Sequence, residues 1–173
     1  MSPAVAAAAT LSAETPLSGL HEETRLRPGL SHFWVLSAPP QNIGAAKLPK
    51  TVPDTPSAPA SLAPYSPAAE AAGLVFLSGQ VAIDPESGER APDDAAAQAH
   101  RVMSNIGALL GDLGLGYEDI VKSTIFLADI DDFSAVNDVY ASYFQGEYPA
   151  RTTVQAGALP LAFRVEIEVV AAR

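Results

Sequence analysis

The chain has 173 residues, 48% of them apolar, which suffices for the core of one ordinary domain but is short for two. It contains no cysteine, which excludes disulfides, thiolate nucleophiles and cysteine-ligated metal clusters. Outside the alanine-rich start, no apolar run reaches the length of a membrane-spanning helix, so we expect no membrane association.

The formal net charge of -10 is unevenly distributed along the chain. Residues 1–60 hold four acidic and four basic residues, so the remaining 16 acidic and 6 basic residues lie in 61–173. The surface of residues 61–173 is therefore strongly negative, and such a surface repels phosphate backbones and anionic lipids. We therefore expect no nucleic acid partner, and an arginine that faces a pocket would stand out as an anion anchor.

Residues 1–55 are predicted to form a largely irregular extension, because prolines and alanine runs interrupt every periodic element. The exception is the apolar segment 30–36, which contains the only tryptophan and is expected to dock on this chain or on a protein partner. The first twenty residues lack lysine and arginine, and Glu22 and Glu23 precede the first arginine, so neither a secretory signal nor a transit peptide is well matched. Cytoplasmic residence is the expectation.

Residues 56–173 have the pattern of one compact α/β domain. The predicted order is strand, strand, helix, strand, helix, strand, strand, and helices on one face of a mixed sheet are the natural arrangement for it. The strands are expected near residues 74–77, 81–83, 120–127, 151–157 and 164–171.

Two helices are predicted between these strands. The first begins at Asp93 or Asp94, whose carboxylates suit the positive end of the helix dipole, and stops at Gly114. The second begins near Asp131 or Asp132 and stops at Gly146. The expected buried positions are Val102, Ile106, Leu109 and Leu113 in the first helix, and Phe133, Val136, Tyr140 and Phe144 in the second.

The last two predicted strands carry the candidate residues for binding and catalysis. Arg151 stands at the start of one strand, and Glu166 follows on the next strand, which could lie beside the first. A guanidinium grips carboxylates, and a nearby carboxylate can transfer protons, so the pair could bind and process a small anion. The pattern alone equally allows a solvated sheet face with ion pairs worth about 0–1 kcal/mol each.

Several segments of the domain resemble, in order and spacing, the Rid (YjgF-type) family of enamine/imine deaminases. Each segment alone is weakly specific, but together they cover about 110 C-terminal residues. The matching segments are 63–68, 75–80, 84–89, the helix with Gln98 and Asn105, 119–122, 133–137, 148–151 and 165–168.

This resemblance implies an α+β subunit of the chorismate-mutase-like kind, with a mixed sheet and two helices packed on one face. It further implies a homotrimer with a central barrel, whose active clefts lie between neighbouring subunits. Members of the family hydrolyse 2-aminoacrylate-type enamines and their imine tautomers to 2-keto acids and ammonium. They use no metal and no organic cofactor.

The resemblance also assigns roles to seven residues. Arg151 matches the arginine that binds the substrate carboxylate, and Glu166 matches the glutamate that holds the hydrolytic water. Five residues are expected to contribute to substrate binding or to the shape of the cleft, namely Tyr65, Ser78, Gly79, Asn137 and Thr153.

Four departures from the family pattern point to a specialised member. Thr153 stands where many members have cysteine, so any role that needs a thiol is lost. The segment between Tyr143 and Pro149 is shorter than usual, and residues 161–163 form an apolar tip in place of a polar loop. The first fifty residues have no counterpart in the family pattern.

Two alternatives to a housekeeping deaminase stay open at this point. One is a biosynthetic enzyme that cyclises or isomerises a bulkier imine in the same cleft. The other is a non-catalytic trimeric binding protein that recruits a partner through residues 30–36.

Overall fold

The computed structural model describes residues 48–59 and 63–173, so segment 30–36 and most of the predicted extension lie outside the described residues. Apart from the first two strands, the described part confirms the predicted order of strands and helices. Its elements are β1 (Ala68–Ala71), β2 (Leu74–Gln80), α1 (Ala95–Asp112), β3 (Ile120–Leu127), α2 (Phe133–Ala141), β4 (Ala150–Gln155) and β5 (Val165–Ala172), with single 3₁₀ turns at Tyr117–Asp119, Ile130–Asp132 and Pro160–Ala162.

The five strands form one mixed sheet in the order β1-β2-β5-β3-β4. β3 and β4 run parallel because α2 carries the chain across between them, and the other neighbours are antiparallel. Val165, Ile167 and Val169 of β5 are buried, as the alternation predicts, and α1 packs over them and against α2. The expectation of a mixed α+β fold with two helices is confirmed.

The first hairpin differs from the prediction. β1 pairs with β2 through a tight turn in which Ala72 and Gly73 have φ angles of 55° and 76°. Residues 81–83, expected to form a strand, make only an isolated bridge between Ile83 and Arg90. The reason is that Ala68–Ala71 lacks the β-branched residues that mark strands, so pairing with the apolar β2 determines its conformation.

The two helices begin and end where local capping allows. Asp94 caps α1 by accepting a hydrogen bond of 2.8 Å from the Ala97 N–H, and Gly114, with φ of 69°, follows its end in the left-handed conformation. α2 is shorter than predicted, since it ends at Ala141 rather than near Gly146. Phe133, expected to be buried, is 41% exposed.

Two buried amides of α1 connect the helix to the loops beside the sheet. The Asn105 amide donates to the carbonyls of Val81 and Ile83, and the Gln98 carbonyl accepts from the backbone N–H of Arg164 at 2.8 Å. Buried polar groups are costly unless paired, so these bonds fix both loops on one side of α1. Arg164, which directly precedes β5, is thereby positioned.

Two glycines of α1 provide a matched test of this packing. A methyl group at Gly107 would overlap the hydroxyl of Tyr117, which donates to the Met103 carbonyl, whereas one at Gly111 would meet nothing. Gly111→Ala is expected to raise the free energy of unfolding by about 1 kcal/mol through helix propensity. Gly107→Ala is expected to lower it by about 1–2 kcal/mol, because displacing Tyr117 loses a hydrogen bond and ring contacts. Urea unfolding of both variants measures this, and equal stabilisation would contradict the packing described.

The sheet face opposite the helices is partly apolar and exposed. Phe76 and Val154 point to this face and are 44% and 41% exposed. Phe126 and Val170 lie on it as well, because Phe126 pairs with Val154 and Val170 pairs with Phe76. The two apolar pairs are separated by Thr124 and Glu168, which face each other on the same side of the sheet.

Residues 48–59 contact the rest of the described chain. Thr51 pairs with Glu70 of β1, and Ser57 donates two hydrogen bonds to the Asp112 carboxylate at 2.8 and 2.9 Å. No helix in residues 48–59 and 63–173 is both long and apolar enough to cross a membrane.

Candidate functional site

β4 presents Arg151 to the helix face of the sheet. The strand lies at the sheet edge, and Arg151 pairs in register with Ser123, which is fully buried on that face. The Arg151 guanidinium donates a hydrogen bond of 2.9 Å to the Asn137 side-chain carbonyl on α2. Arg151 and Asn137, predicted separately from the sequence, are thus brought together.

Two aromatic rings hold the same guanidinium. Its carbon lies 5.0 Å from the ring centre of Tyr140 and 5.7 Å from that of Phe133. These distances are within the range of cation–π attraction. The Tyr140 hydroxyl shares a hydrogen bond of 2.8 Å with the buried Ser123 hydroxyl, which fixes the ring, and burial raises the pKa of Tyr140.

Among the described residues, Arg151 has no acidic partner. The ion pairs there involve Arg101, Arg164 and Arg173; Arg164, for example, binds the Asp132 carboxylate with two hydrogen bonds of 2.9 and 3.0 Å. The charge of Arg151 therefore remains available to an anion. It faces a pocket of about 370 Å³, here called the arginine pocket, lined by Asn137, Tyr140, Ala141, Tyr148, Pro149 and Arg151.

Glu166 lies in a different group of residues, here called the glutamate cluster: Ser78, Gly79 and Glu166. Tyr65, expected at the same site, directly precedes Ser66 and is 48% exposed. A methyl group at Gly79 would overlap the Glu166 carboxylate, so only glycine lets this carboxylate lie over β2. The Ser78 hydroxyl donates to the Ser66 carbonyl at 2.8 Å, which ties the segment after Tyr65 to the same strand.

The environment of Glu166 disfavours its charge. Burial raises the pKa of the Glu166 carboxyl above its ordinary value, and the nearby Glu168 carboxylate raises it further. A carboxylate with a raised pKa is a better proton acceptor near neutral pH than an ordinary one.

Arg151 and Glu166 are separated within one chain. The expectation that their strands could be neighbours is wrong, because β3 lies between β4 and β5. Arg151 is in register with Val169, whereas Glu166 is in register with Val154, so the two residues lie on opposite faces of the sheet. The offset is about 10 Å along the strands and about 10 Å across them.

Thr153 lies on the same face as Arg151, since it pairs with the buried Ile125. Its hydroxyl oxygen is buried and has no hydrogen-bond partner among the described residues. Such a group is costly unless something satisfies it, so the hydroxyl is suited to a ligand or a neighbouring chain.

The apolar tip after Pro160 has an unusual backbone. Leu161 and Ala162 have φ angles of 53° and 55°, which cost energy for residues other than glycine, and Leu161 is 59% exposed. Arg90 holds the tip, because it donates to the Leu161 carbonyl at 2.7 Å and its guanidinium lies 4.3 Å from the Phe163 ring centre.

Three aromatic residues near Arg151 are absent from the predicted site residues: Tyr140 and Tyr148, which line the arginine pocket, and Phe133, which lies beside the guanidinium but is not part of the lining. The periodicity predicts Phe133 and Tyr140 as core positions, and Tyr148 belongs only to a family segment. A signal was present, because Phe133, Asn137 and Tyr140 follow each other at helical spacing and so share one face of α2. A helix face on which an asparagine lies between aromatic residues can form the wall of a binding pocket as well as part of the hydrophobic core.

Comparisons with known proteins agree with this fold and with the order of its segments. The family described as Endoribonuclease L-PSP matches residues 55–173. Reactive Intermediate Deaminase A, chloroplastic, from Arabidopsis thaliana is 40% identical over 164 residues, which is 92% of this chain and 88% of the relative. A 2-iminobutanoate/2-iminopropanoate deaminase from Capra hircus is 44% identical over 126 residues, 73% of this chain and 92% of the relative.

A solved structure from Yersinia pestis, described as a protein of unknown function of the conserved Rid family, has a TM-score of 0.69 and 43% identity. It covers 72% of this chain and 100% of its own. The family match begins at residue 55, whereas the Arabidopsis alignment extends into residues 1–47, so this relative also aligns with part of the segment that precedes the family match. The family match over most of the chain and the high identities show that the chain belongs to the Endoribonuclease L-PSP (YjgF/Rid) family.

Proposed function

We propose that this protein hydrolyses reactive 2-imino acids, formed from 2-enamine acids such as 2-aminoacrylate, to 2-keto acids and ammonium. The observation that carries the proposal is the Arg151 guanidinium, which faces a pocket without an acidic partner among the described residues. Its charge and fork geometry suit the carboxylate shared by all these substrates. The names of the relatives at 40% and 44% identity support the same activity.

The chemistry needs one carboxylate anchor and one acid/base group. Arg151 holds the substrate carboxylate, and Glu166 holds a water molecule against the imine carbon. Glu166 accepts a proton as the water oxygen bonds to this carbon, which gives a carbinolamine. Glu166 then gives this proton to the carbinolamine nitrogen, the C–N bond breaks, and ammonia leaves as the hydroxyl loses its proton to water and becomes the keto group. An enamine substrate first takes up a proton at its β-carbon.

The rate acceleration required is modest, because imines hydrolyse spontaneously in water. Acid/base assistance contributes about 10²–10⁴-fold, and holding water and imine together contributes in addition. No bound cofactor enters the proposed steps.

The proposed active assembly is a homotrimer with a central barrel. Arg151 and Glu166 of one chain lie on opposite sheet faces, so one substrate molecule can meet both only where two chains adjoin. The exposed side chains of Phe76 and Val154, which lie in two separate apolar pairs on that face, support burial of these pairs in the assembly. In this proposal each cleft joins the arginine pocket of one subunit to the glutamate cluster of its neighbour, with Thr153 on the arginine side.

Mixing two inactive variants tests the shared cleft. Arg151→Ala and Glu166→Gln subunits, unfolded together and refolded, are expected to recover about a quarter of wild-type activity, because random assembly forms one intact cleft in about four. Sedimentation should give three times the subunit mass of 17.9 kDa. As a control, the double variant mixed with either single variant should stay inactive. If the mixed single variants form a trimer but recover no activity, each cleft is built from one chain.

Release of ammonia from 2-aminoacrylate, generated in place by a pyridoxal-phosphate dehydratase, tests the activity itself. Wild-type protein is expected to accelerate release above the spontaneous rate, and a folded trimer that does not would contradict the proposal. The cyclising or isomerising enzyme and the non-catalytic binding protein are not favoured, since the relatives are named as deaminases.

The cellular location is a separate proposal. Cytoplasmic residence stays a prediction from the acidic residues that precede the first arginine. The alignment with the chloroplastic relative, which reaches into residues 1–47, supports organellar targeting as the alternative. A fluorescent protein fused behind residues 1–55 would remain in the cytoplasm in the first case and enter an organelle in the second. Docking of segment 30–36 on a protein partner also stays a prediction.

A further inference from the structure

A second pocket, of about 400 Å³, lies beside the turn that follows α2. It adjoins the arginine pocket, because the Phe144 ring centre lies 4.8 Å from that of Tyr140 and 5.9 Å from that of Tyr148. Three of its residues are aromatic, two are acidic, one is an amide, and none is basic. They are Tyr117, Tyr143, Phe144, Glu118, Glu147 and Gln145, here called the aromatic pocket.

The three rings stand as walls at steep angles to one another. The ring centres of Tyr117 and Tyr143 are 5.2 Å apart at an interplanar angle of 61°, and those of Tyr117 and Phe144 are 6.2 Å apart at 67°. Rings at these distances and angles contact each other edge to face, so they form adjoining walls against which a rounded group can lie. The walls are also fixed, since edge-to-face packing and the hydroxyl bonds described next hold them.

Both tyrosine hydroxyls bond to backbone carbonyls of α1. Tyr117 donates to Met103 at 2.8 Å, and Tyr143 donates to His100 at 3.2 Å. Because the hydroxyls are engaged there, the tyrosines contribute ring carbon rather than a hydroxyl to the pocket. Burial raises the pKa of Tyr117 to about 12, so its ring is a neutral phenol at physiological pH.

The charges around the rings favour a cation. Glu118 and Glu147 are exposed, and neither belongs to an ion pair among the described residues. The chain as a whole carries a formal charge of -10, which raises the local concentration of cations at such a surface. Aromatic faces attract cations, and the attraction is greatest for alkylated ammonium groups, which lose little hydration on entering.

We propose that the aromatic pocket binds an alkylammonium group, either of a free quaternary amine or of a methylated lysine side chain. Neither Arg151 nor Glu166 takes part, although Phe144 also packs on Tyr140 and Tyr148 of the arginine pocket. The rings of Tyr117, Tyr143 and Phe144 form adjoining walls against the alkyl groups, and Glu118 and Glu147 compensate the charge.

A titration with choline tests the proposal in the full-length protein. Choline is expected to shift the aromatic NMR resonances of Tyr117, Tyr143 and Phe144, with saturation in the millimolar range. The control ligand is the uncharged carbon isostere of choline, in which a tert-butyl group replaces the trimethylammonium group. Absence of shifts with choline, or equal shifts with the isostere, would overturn the proposal.

Two exposed carboxylates offer a variant that leaves the packed rings in place. Glu118→Gln/Glu147→Gln is expected to weaken choline binding about three- to tenfold, since both compensating charges are removed. Glu86→Gln/Glu89→Gln removes the same charge from exposed positions outside the pocket, and its Kd should stay within about twofold of wild type. Equal weakening in both variants would mean that only the general surface charge attracts choline.

A peptide with trimethyllysine distinguishes the two sources of the ligand. Binding at least about tenfold tighter than choline, and lost with the unmethylated peptide, would assign the pocket to a protein-borne group. Comparable binding of peptide and choline would assign it to a free amine. Tyr143→Leu, with its fold checked by thermal unfolding, should weaken binding of either probe by about five- to thirtyfold.

Discussion

Arg151→Ala is expected to lower kcat/KM for 2-aminoacrylate by about 10²–10⁴-fold. The guanidinium can give the substrate carboxylate two charge-assisted hydrogen bonds, each worth about 1.5–3 kcal/mol, and alanine gives none. The side chain has no acidic partner among the described residues, so its removal leaves no unpaired carboxylate there, and the fold should survive. Steady-state kinetics together with a thermal unfolding curve measure both effects.

Arg151→Lys separates charge from geometry. Lysine keeps the positive charge but loses the planar fork that bonds to Asn137 and lies over the Tyr140 ring. We expect this variant to retain only a small part of the activity. The matched control is Arg101→Ala, which removes an arginine paired with Asp84 at 3.0 Å. If both alanine variants were equally active, Arg151 would not be the carboxylate anchor.

Glu166→Gln is expected to lower kcat by about 10²–10⁴-fold, because glutamine cannot take the proton from the attacking water. Glutamine has nearly the same shape, so it can still lie over Gly79, and KM should change little. Glu168→Gln, two residues further on the same strand face, is the control and should keep most of the activity. A fully active Glu166→Gln variant would show that another group accepts the proton.

The pH dependence follows from the same carboxyl group. The pKa of Glu166 is raised by burial and by Glu168, so the acid limb of the kcat/KM profile should lie above the pH expected for an ordinary glutamate. Glu168→Gln removes the second cause and should shift this limb to lower pH. An unchanged limb would mean that Glu168 does not influence the reacting group.

The stability effect of Glu166 has the opposite sign to that of a paired carboxylate. A folded-state pKa above the unfolded value means that the folded chain binds the proton more tightly, so ionisation of Glu166 destabilises the fold. This cost is absent below the unfolded pKa and is complete once the pH exceeds the folded pKa. Glu166→Gln should therefore raise Tm near neutral pH and leave it nearly unchanged in acid.

Much of the fold could be predicted because the apolar periodicity of its elements is strong. Val165, Ile167 and Val169 alternate strictly and are buried, and α1 buries the predicted positions Val102 and Ile106. The first hairpin could not be predicted, since an alanine-rich strand has no pattern of its own and forms only by pairing with β2.

Candidate site residues could be named from the sequence, but their geometry could not be predicted. Arg151 and Asn137, which were named separately, are hydrogen-bonded to each other. Arg151 and Glu166 lie on opposite faces because β5 is inserted between β2 and β3 in the sheet. No local sequence pattern indicates this strand order. The carboxylate over Gly79 likewise depends on the register of β5 against β2, where a bulge between Leu77 and Gln80 shifts the pairing.

The central place of β5 also bears on how the chain folds during synthesis. β2 and β3 emerge from the ribosome well before β5, and both present apolar residues and open edges until Val169 pairs with Leu77 and Ser123. Such distant pairing makes folding slow, and uncovered strand edges bind other chains readily. The growing chain therefore passes through a stage at which chaperones have the greatest effect on the yield of folded protein. Substitutions that weaken the pairing of β5 should reduce the amount of native protein recovered more than they reduce the activity of each native molecule.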